Sequence, residues 1–525
     1  MATTHPLAPA HTLAPAHRVV VVGHGMVAAR FVDELDRLVP AQQVDVTVLG
    51  EERERPYNRL LLSEVLSGRA SIESLTLPDA PPHVRVHRGA AADRLDLGHG
   101  LVHDRTGGTH PFDTVVLATG ASANIPALEG FPVPGVLPAG VVALRTLQDC
   151  RQILADVGQV RHAVVLGGGL LGVEVASGLA THGVSATVVH SGGHPLDRQL
   201  DRDSGRVLGL GLRDLGVSVR ARSRAHSITL GPHGRVRSVI LADGTEVLAD
   251  LVLVTTGVTP RTELARAAGL PVGRGVVVGD DLRSPQDPRV AAIGDCAETP
   301  DGCPGLLQPG WDQAVALAAD LAGRLGVEVP ARREADELGA HDVIRLKAAG
   351  LSVVTLGRMP TEPAWDDKSL DGIGDLVQGG PRILSLVDRT ARRSIRVAVE
   401  DGRVGAAVVV GDGAVAAALT AAYERGTPVP ADAAHLLVAG ASGAVPVVEN
   451  PALIPAGATV CRCNGVTKGD LVSACSADDD RTLATAARKT RATTGCGGCR
   501  GAVEGLLAWL DQVDPPECTT PAAVV

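Results

Sequence analysis

One pattern occurs twice in this chain, and it decides most of the fold. A largely apolar run, Arg18 to Val22, ends in the glycine turn Gly23-His24-Gly25-Met26-Val27-Ala28, and the residues after it carry Phe31, Leu35 and Leu38 at helical spacing. About 145 residues later, Ala163 to Leu166 repeats the run, Gly167-Gly168-Gly169-Leu170-Leu171-Gly172 repeats the turn, and Val173 to Ala180 repeats the helix. Each helix is followed by a second apolar run, Val44 to Leu49 and Ser185 to Val189. Strand, tight turn, helix, strand is the signature of a βαβ unit with parallel pairing. Two later runs, Val115 to Gly120 and Leu251 to Gly257, mirror each other in the same way. The first 270 residues are therefore predicted to hold two similar parallel α/β units.

The turns carry the chemistry. In each, a first glycine (Gly23, Gly167) permits the sharp exit from the strand. A second (Gly25, Gly169) leaves room for a pyrophosphate against the backbone, and a small third residue (Ala28, Gly172) lets helix pack on strand. The N–H groups and dipole of the helix start then face the anion. An acid after the second strand is expected to bind ribose hydroxyls; Glu51 fits in the first unit, with Glu52 beside it. In the second unit that place holds His190, followed by Ser191, Gly192 and Gly193, and Arg198 is some way on. With no basic cluster to receive a 2′-phosphate, NADH is favoured over NADPH. Two such units in one chain predict one site for a resident FAD and one for NAD(P)H. A second turn that is structural only is the weaker alternative.

Past these units, Val290 to Asp295 reads as a strand and turn, and a helix carries Ala314, Leu317, Ala318 and Leu321. From about residue 335 the pattern changes to alternating strands, such as Ser352 to Leu356, Ile383 to Val387 and Ala406 to Val410. A stretch rich in Gly, Ala, Ser and Pro then reads as a linker. The expected organisation is α/β: a loose tail over 1–17, an FAD-binding domain over 18–144 and 271–330, and an NAD(P)H-binding domain over 145–270. An α/β interface domain over 335–440, a linker over 441–457 and a small helical cysteine-bearing domain over 458–511 complete it.

The order of first turn, Ala118-Thr119-Gly120, second turn, Thr256-Gly257 and Ile293-Gly294-Asp295 resembles the two-dinucleotide flavoprotein reductases. The resemblance implies FAD contacts at Thr119 and Gly120, and on the flavin side at Gly294 and Asp295. It also implies a place near the nicotinamide for Glu174. Pro56-Tyr57-Asn58-Arg59, followed by Leu62-Ser63-Glu64, is similar to a segment of the large subunits of assimilatory NAD(P)H nitrite reductases and their relatives. There the arginine contacts FAD, which points to Arg59; Glu64 stands where some relatives have a lysine. Arg198-Gln199-Leu200-Asp201 and Gln308 to Ala314 are similar to the same group, and the likeness covers about residues 18–510.

Cys461-Arg462-Cys463 and Cys496-Gly497-Gly498-Cys499 are two close thiol pairs separated by 32 residues. Four thiolates in two pairs can wrap a [2Fe–2S] cluster, two sulfurs per iron. A zinc site made by the same four cysteines and a redox disulfide between Cys496 and Cys499 are the alternatives. Each pair precedes an expected helix, the first capped by Thr467 with Asp470 three residues on, so helix dipoles are expected to lower the thiol pKa values. The spacing resembles the small domain related to bacterioferritin-associated ferredoxin, which implies the cluster. Cys475 is expected in the core, Cys296 and Cys303 in core or loop positions, and Cys518 in the tail.

Disulfide-reducing members of the flavoprotein group carry a reactive cysteine near the first FAD segment. Here no cysteine precedes Cys150, so disulfide reduction is not expected. Formal net charge is −10, with pI near 5.9, which points to neither nucleic acid nor an anionic membrane as partner. The absence of a long apolar run and of a secretory signal leads to a cytoplasmic expectation. Aromatics make up only 2% of residues, so aliphatic side chains must build the cores. The sirohaem domain of full-length nitrite reductase large subunits is absent from the sequence to Val525, so an electron-transfer subunit is expected. It would serve a nitrate or nitrite reductase catalytic subunit, with a homodimer left open. No side chain is nominated as general acid or base. A stand-alone NAD(P)H oxidase or ferredoxin-type reductase, and a redox-sensing regulatory protein, are the other functions compatible with these features.

Overall fold

The structure is a computed structural model that describes residues 15–131, 136–303, 305–329, 343–348, 350–360, 381–438, 451–461, 463–476, 481–495 and 497–513. Two compact units divide the chain: Met1–Tyr57, Pro78–Ser122 and Thr259–Ala331 form one, and Asn58–Leu77, Ala123–Val258 and Arg332–Val525 the other.

In the first unit, five parallel strands lie in the order Val290–Ala292, Thr114–Leu117, His17–Val22, Val44–Gly50, Arg85–Arg88. Valines at 19, 20, 21 and 22 are all buried, as strands covered on both faces require. Each valine taken wholly out of water contributes about 1.5–3 kcal/mol of transfer free energy. The helix Met26–Leu38 turns Ala28, Phe31, Val32 and Leu35 to this core, with Leu38 at its edge. It packs beside the helix Leu307–Arg324, where Trp311 Nε1 donates to the Met26 carbonyl at 3.3 Å.

The second unit repeats the plan. Val217–Arg220, Ser185–Val189, His162–Leu166, Leu251–Val254 and Val141–Ala143 form a parallel sheet in that order. Both sheets thus run 3-2-1-4 outward from the strand that feeds the glycine turn. Both also precede their fourth strand with a three-stranded antiparallel meander, Ala92–Asp96 to Thr109–Pro111 in one and Ala225–Leu230 to Glu246–Leu248 in the other. The runs expected to be strands through Gly120 and Gly257 end sooner, at Leu117 and Val254, because the chain turns there with φ of +71° and +96° at the two glycines.

Residues 343–438 form a five-stranded antiparallel sheet in the order Val343–Arg345, Val353–Leu356, Arg403–Val410, Arg393–Glu400, Arg382–Asp388, backed by the helix Gly413–Arg425. Among the described residues every pairing in this sheet is antiparallel, an α+β arrangement where α/β was expected. It docks on the helix Arg202–Asp214 through Ser394 Oγ to Ser204 Oγ (2.9 Å) and Arg396 to Asp201 (3.3 Å). That contact gives Asp201 a structural role, and Asp201 also caps the helix by accepting from Ser204 N at 3.1 Å.

The terminal domain packs three short helices, Lys468–Cys475, Leu483–Thr490 and Arg500–Val513, around Leu471, Cys475, Ala486, Val503, Leu506 and Leu510. Thr467 and Asp470 close a reciprocal capping box at 3.1 and 2.9 Å. Among the described residues, no helix is long and apolar enough to cross a membrane.

A side chain at the third position of the second turn has no space, since a Cβ on Gly172 would overlap the Gly167 carbonyl oxygen. The first turn accepts Ala28 there. Gly172→Ala is therefore expected to cost about 1–3 kcal/mol by overpacking and to raise at least tenfold the KM for the nicotinamide nucleotide that the sequence assigns to this turn. Thermal melts and steady-state kinetics check this; wild-type values for both would show that the two turns tolerate the same residue.

Candidate functional site

The first turn has the geometry its sequence calls for. Gly23 sits at φ +114°, with the Ala118 carbonyl pressed against the face where a Cβ would project. Around Gly25 there is open space, and from it the helix begins at Met26. Glu51, just after the strand Val44–Gly50, forms an ion pair with Arg261, and Glu52 accepts from the Tyr57 hydroxyl at 2.8 Å. Thr119 Oγ1 donates to the Arg261 carbonyl at 2.9 Å, and Arg261 N donates to the Gly120 carbonyl at 2.9 Å. Arg261 thus joins Glu51 to Thr119 and Gly120, a link for which the sequence carries no local signal. His24 is half-buried within the turn; burial pushes its pKa down to about 4, so it is neutral at pH 7. Gly294 lies at φ +76° against Val27, and its N–H donates to Gln313 Oε1 at 2.7 Å. That bond ties the turn before Asp295 to the helix Leu307–Arg324, where a Cβ on Gly310 would stand 3.2 Å from Gly294 Cα.

In the second turn, Gly167 sits at φ +115° against the Thr255 carbonyl, and Gly169 again opens on free space. The strand-end residue His190 accepts from Gly168 N at 3.2 Å through Nδ1, which leaves the ring proton on Nε2. Asp197 Oδ1 lies 3.1 Å from Nε2, a close contact without the alignment of a hydrogen bond. An acidic group therefore does approach the strand end, brought there from a loop.

Cys461 ends the strand Thr459–Cys461 and is buried. Its thiol pKa is lowered, first by hydrogen bonding with Cys499 and then by Thr493 N–H and both donors of Asn464, against the opposing effect of burial. Asn464 Nδ2 stands 3.7 Å from Cys461 Sγ and also donates to the Arg491 carbonyl at 2.7 Å. Thr493 adopts φ +70°, unusual for a β-branched residue, and so turns its N–H toward the thiol. What lowers the pKa is thus a set of hydrogen bonds reaching the thiol. Cys499 abuts the start of the helix Arg500–Val513, and Cys461 is paired in a short hairpin with Val466, two residues before the helix Lys468–Cys475 begins. Donors clustered about Cys461 and its contact with Cys499 are what a thiolate ligand to iron requires. Cys496 lies outside the described residues, and among those described no three Cys, His, Asp or Glu converge as for a single metal ion.

Residues 17–316, more than half of the chain, match the pyridine nucleotide-disulphide oxidoreductase family. The chain belongs to that family. Residues 459–509 match the BFD-like [2Fe-2S] binding domain. The protein is thus an FAD-dependent NAD(P)H oxidoreductase with a terminal [2Fe–2S] domain. It is 28% identical to an assimilatory nitrate reductase electron transfer subunit of Bacillus subtilis strain 168, over 96% of this chain and 61% of that protein. It is 31% identical to an NAD(P)H nitrite reductase large subunit of Klebsiella oxytoca, over 94% of this chain and 49% of that protein. The chain therefore spans about half to three-fifths of these relatives. Among solved structures, a covalent putidaredoxin reductase–putidaredoxin complex aligns with TM-score 0.64 at 22% identity, over 81% of this chain and 99% of that one. An NAD-dependent persulfide reductase from A. fulgidus aligns with TM-score 0.62 at 22% identity, over 78% and 77%. At that identity both speak for the fold.

The remaining oxidoreductase residues fall as follows. Arg59 Nη1 donates to the Arg145 carbonyl at 2.6 Å. Cys150 and Cys475 are fully buried, and burial pushes the Cys150 thiol up to about 11. Cys296 is likewise buried, while Cys303 is half-buried. Glu174 is buried on the inner face of the helix Leu170–Thr181. Its Oε2 accepts from Ser63 Oγ at 2.8 Å and its Oε1 from Lys347 N at 2.9 Å. Burial raises its pKa, and these two bonds offset the rise only in part.

An acid whose pKa is raised on folding adds stability while protonated. That gain is complete below its ordinary value of 4.5 and is lost as pH rises through the raised folded value. Glu174→Gln keeps an acceptor for Lys347 N and a partner for Ser63 without the charge. It is expected to melt about 2–4 °C above wild type at pH 7, with the difference shrinking towards pH 4.5. Parallel melts across that range decide it; a constant offset would mean that the charge plays no part.

Proposed function

We propose that this oxidoreductase is the electron-transfer component of an assimilatory nitrate reductase: it draws electrons from NADH in the cytoplasm and delivers them singly to a separate catalytic subunit. The observation that carries this reading is Cys461, packed with Cys499 and 3.7 Å from Asn464 Nδ2, in the same chain as two nucleotide turns. Likeness to the Bacillus subtilis electron transfer subunit, running over 96% of this chain, supports the choice of acceptor. Likeness to the Klebsiella oxytoca nitrite reductase supports a second reading, in which the acceptor is a nitrite-reducing centre.

When bound, FAD accepts electrons from NAD(P)H in pairs and releases them one at a time, as a [2Fe–2S] cluster requires. The chain's own residues bind and orient. Gly23, Gly25 and Ala28 receive the FAD pyrophosphate, and Glu51, held by Arg261, receives its ribose. Arg59, Thr119, Gly120, Gly294 and Asp295 complete the FAD site. Gly167, Gly169 and Gly172 receive the NADH pyrophosphate, and Glu174 anchors the helix behind it. His190 stands at the strand end, and Asp197 beside it would repel a 2′-phosphate. Cys461, Cys463, Cys496 and Cys499 hold the cluster. The FAD domain in this scheme is 18–144 with 271–330, the NADH domain 145–270, the interface domain 335–440 and the cluster domain 458–511.

Anaerobic purification with iron and sulfide analysis tests the proposal, with two of each expected per chain. Zinc without sulfide would end it. In Cys496→Ser the flavin bands are expected to bleach with NADH as in wild type, while reduction of a nitrate reductase catalytic subunit falls at least a hundredfold; slow bleaching would contradict the division of labour. For the donor, kcat/KM with NADH is expected to exceed that with NADPH at least tenfold, measured with ferricyanide, and equal values would remove the role given to His190 and Asp197.

A further inference from the structure

Asn58 is 2% exposed and lies far in sequence from every cysteine, yet its side chain is committed to the cysteine loop. Its Oδ1 accepts from Leu60 N at 3.1 Å and so caps the short turn Arg59–Leu61. Its Nδ2 donates twice, to the Thr494 carbonyl at 3.0 Å and to the Gly495 carbonyl. Both amide protons and the acceptor oxygen are thus used. One turn on, Leu61 lies against Gly497, where a Cβ would stand 3.2 Å from Leu61 Cδ2 and φ is +77°. The loop is gripped from its other side by Asn464, which donates to Thr494 Oγ1 at 3.3 Å and lies 3.7 Å from Cys461 Sγ. A continuous chain of contacts therefore runs from Asn58 through Thr494 and Asn464 to Cys461.

Buried carbonyls in a loop without secondary structure are costly unless a donor reaches them. Here the donor comes from residue 58 and not from the terminal domain itself. Removing it leaves two carbonyls of the cysteine loop unsatisfied and frees the loop to move.

We propose that Asn58 is a positioning residue of the terminal redox unit: its carboxamide latches the loop leading into Cys499 onto residues 58–61. The cluster is then presented from one fixed place rather than on a tether. This rests on the reading of the cysteines as a cluster site, and iron and sulfide content of the wild type tests that reading separately from the latch.

The experiment uses the full chain with Asn58→Asp, which keeps the acceptor for Leu60 N but loses both donated bonds. Leu61→Ala, which loosens the apolar side of the same contact, covers the event that Asn58→Asp does not fold. At unchanged iron content, hydrogen exchange of the amides between Ala492 and Arg500 is expected to rise at least tenfold. Cluster reduction after flavin reduction is expected to slow at least tenfold in stopped flow, and the cluster's electron paramagnetic resonance to broaden. Wild-type exchange in the folded variants would overturn the latch, and raised exchange with an unchanged rate of cluster reduction would overturn the positioning role.

Discussion

The fold depends on how closely two parallel strands approach at the point where each glycine turn leaves the sheet. The Ala118 carbonyl closes over Gly23, and the Thr255 carbonyl over Gly167. Neither place has room for a side chain, and both backbones adopt φ values that L-residues avoid. Because the exit is forced there, each following helix starts with its N–H groups directed out of the strand end, in a setting where Gly25 and Gly169 leave the surface open. The ability to bind a pyrophosphate is therefore a consequence of sheet packing rather than of any charged side chain.

Much of this is legible in the sequence because it is local. A β-branched run, a turn with fixed glycine positions and a helical face of Phe31, Val32 and Leu35 need only near neighbours to be understood. The repeated 3-2-1-4 order follows once both units are recognised as the same. What the sequence conceals is long-range. Nothing near Arg261 marks it as the partner of Glu51, and nothing near Asp197 marks it as the acid that approaches His190. The α+β character of residues 343–438 is also hidden, since an apolar strand buried in an antiparallel sheet and one buried in a parallel sheet look alike in a short run.

The cysteine site shows the same division. Spacing names the ligands, and the capping box at Thr467 is readable from two residues. The cause of the lowered Cys461 pKa is not, because Thr493 and Asn464 act through loop geometry that only the folded chain defines. Dipoles from helix starts are a reasonable expectation for a C-x-C pair close to a cap. Here Val466–Thr467 pairs back onto Thr459–Cys461 before the helix begins at Lys468, and hydrogen bonds reach the Cys461 thiol directly.

Residues 58–66 explain why the second unit holds together. Over nine positions, Asn58 reaches the cysteine loop, Arg59 the Arg145 carbonyl, and Ser63 the carboxylate of Glu174. In the same stretch the Leu60 carbonyl accepts from Lys347 Nζ at 3.2 Å, and the Leu66 carbonyl lies 2.7 Å from His182 Nε2. Leu61, Leu62, Val65 and Leu66 are buried, so the segment is anchored by apolar packing while its polar groups are held by what they bind. The converse also holds: the nucleotide helix, the segment after the strand Val343–Arg345 and the cysteine loop share this one strip of backbone, although they are far apart in sequence. Substitutions within it should therefore couple sites that are otherwise independent, since each partner loses part of the same support.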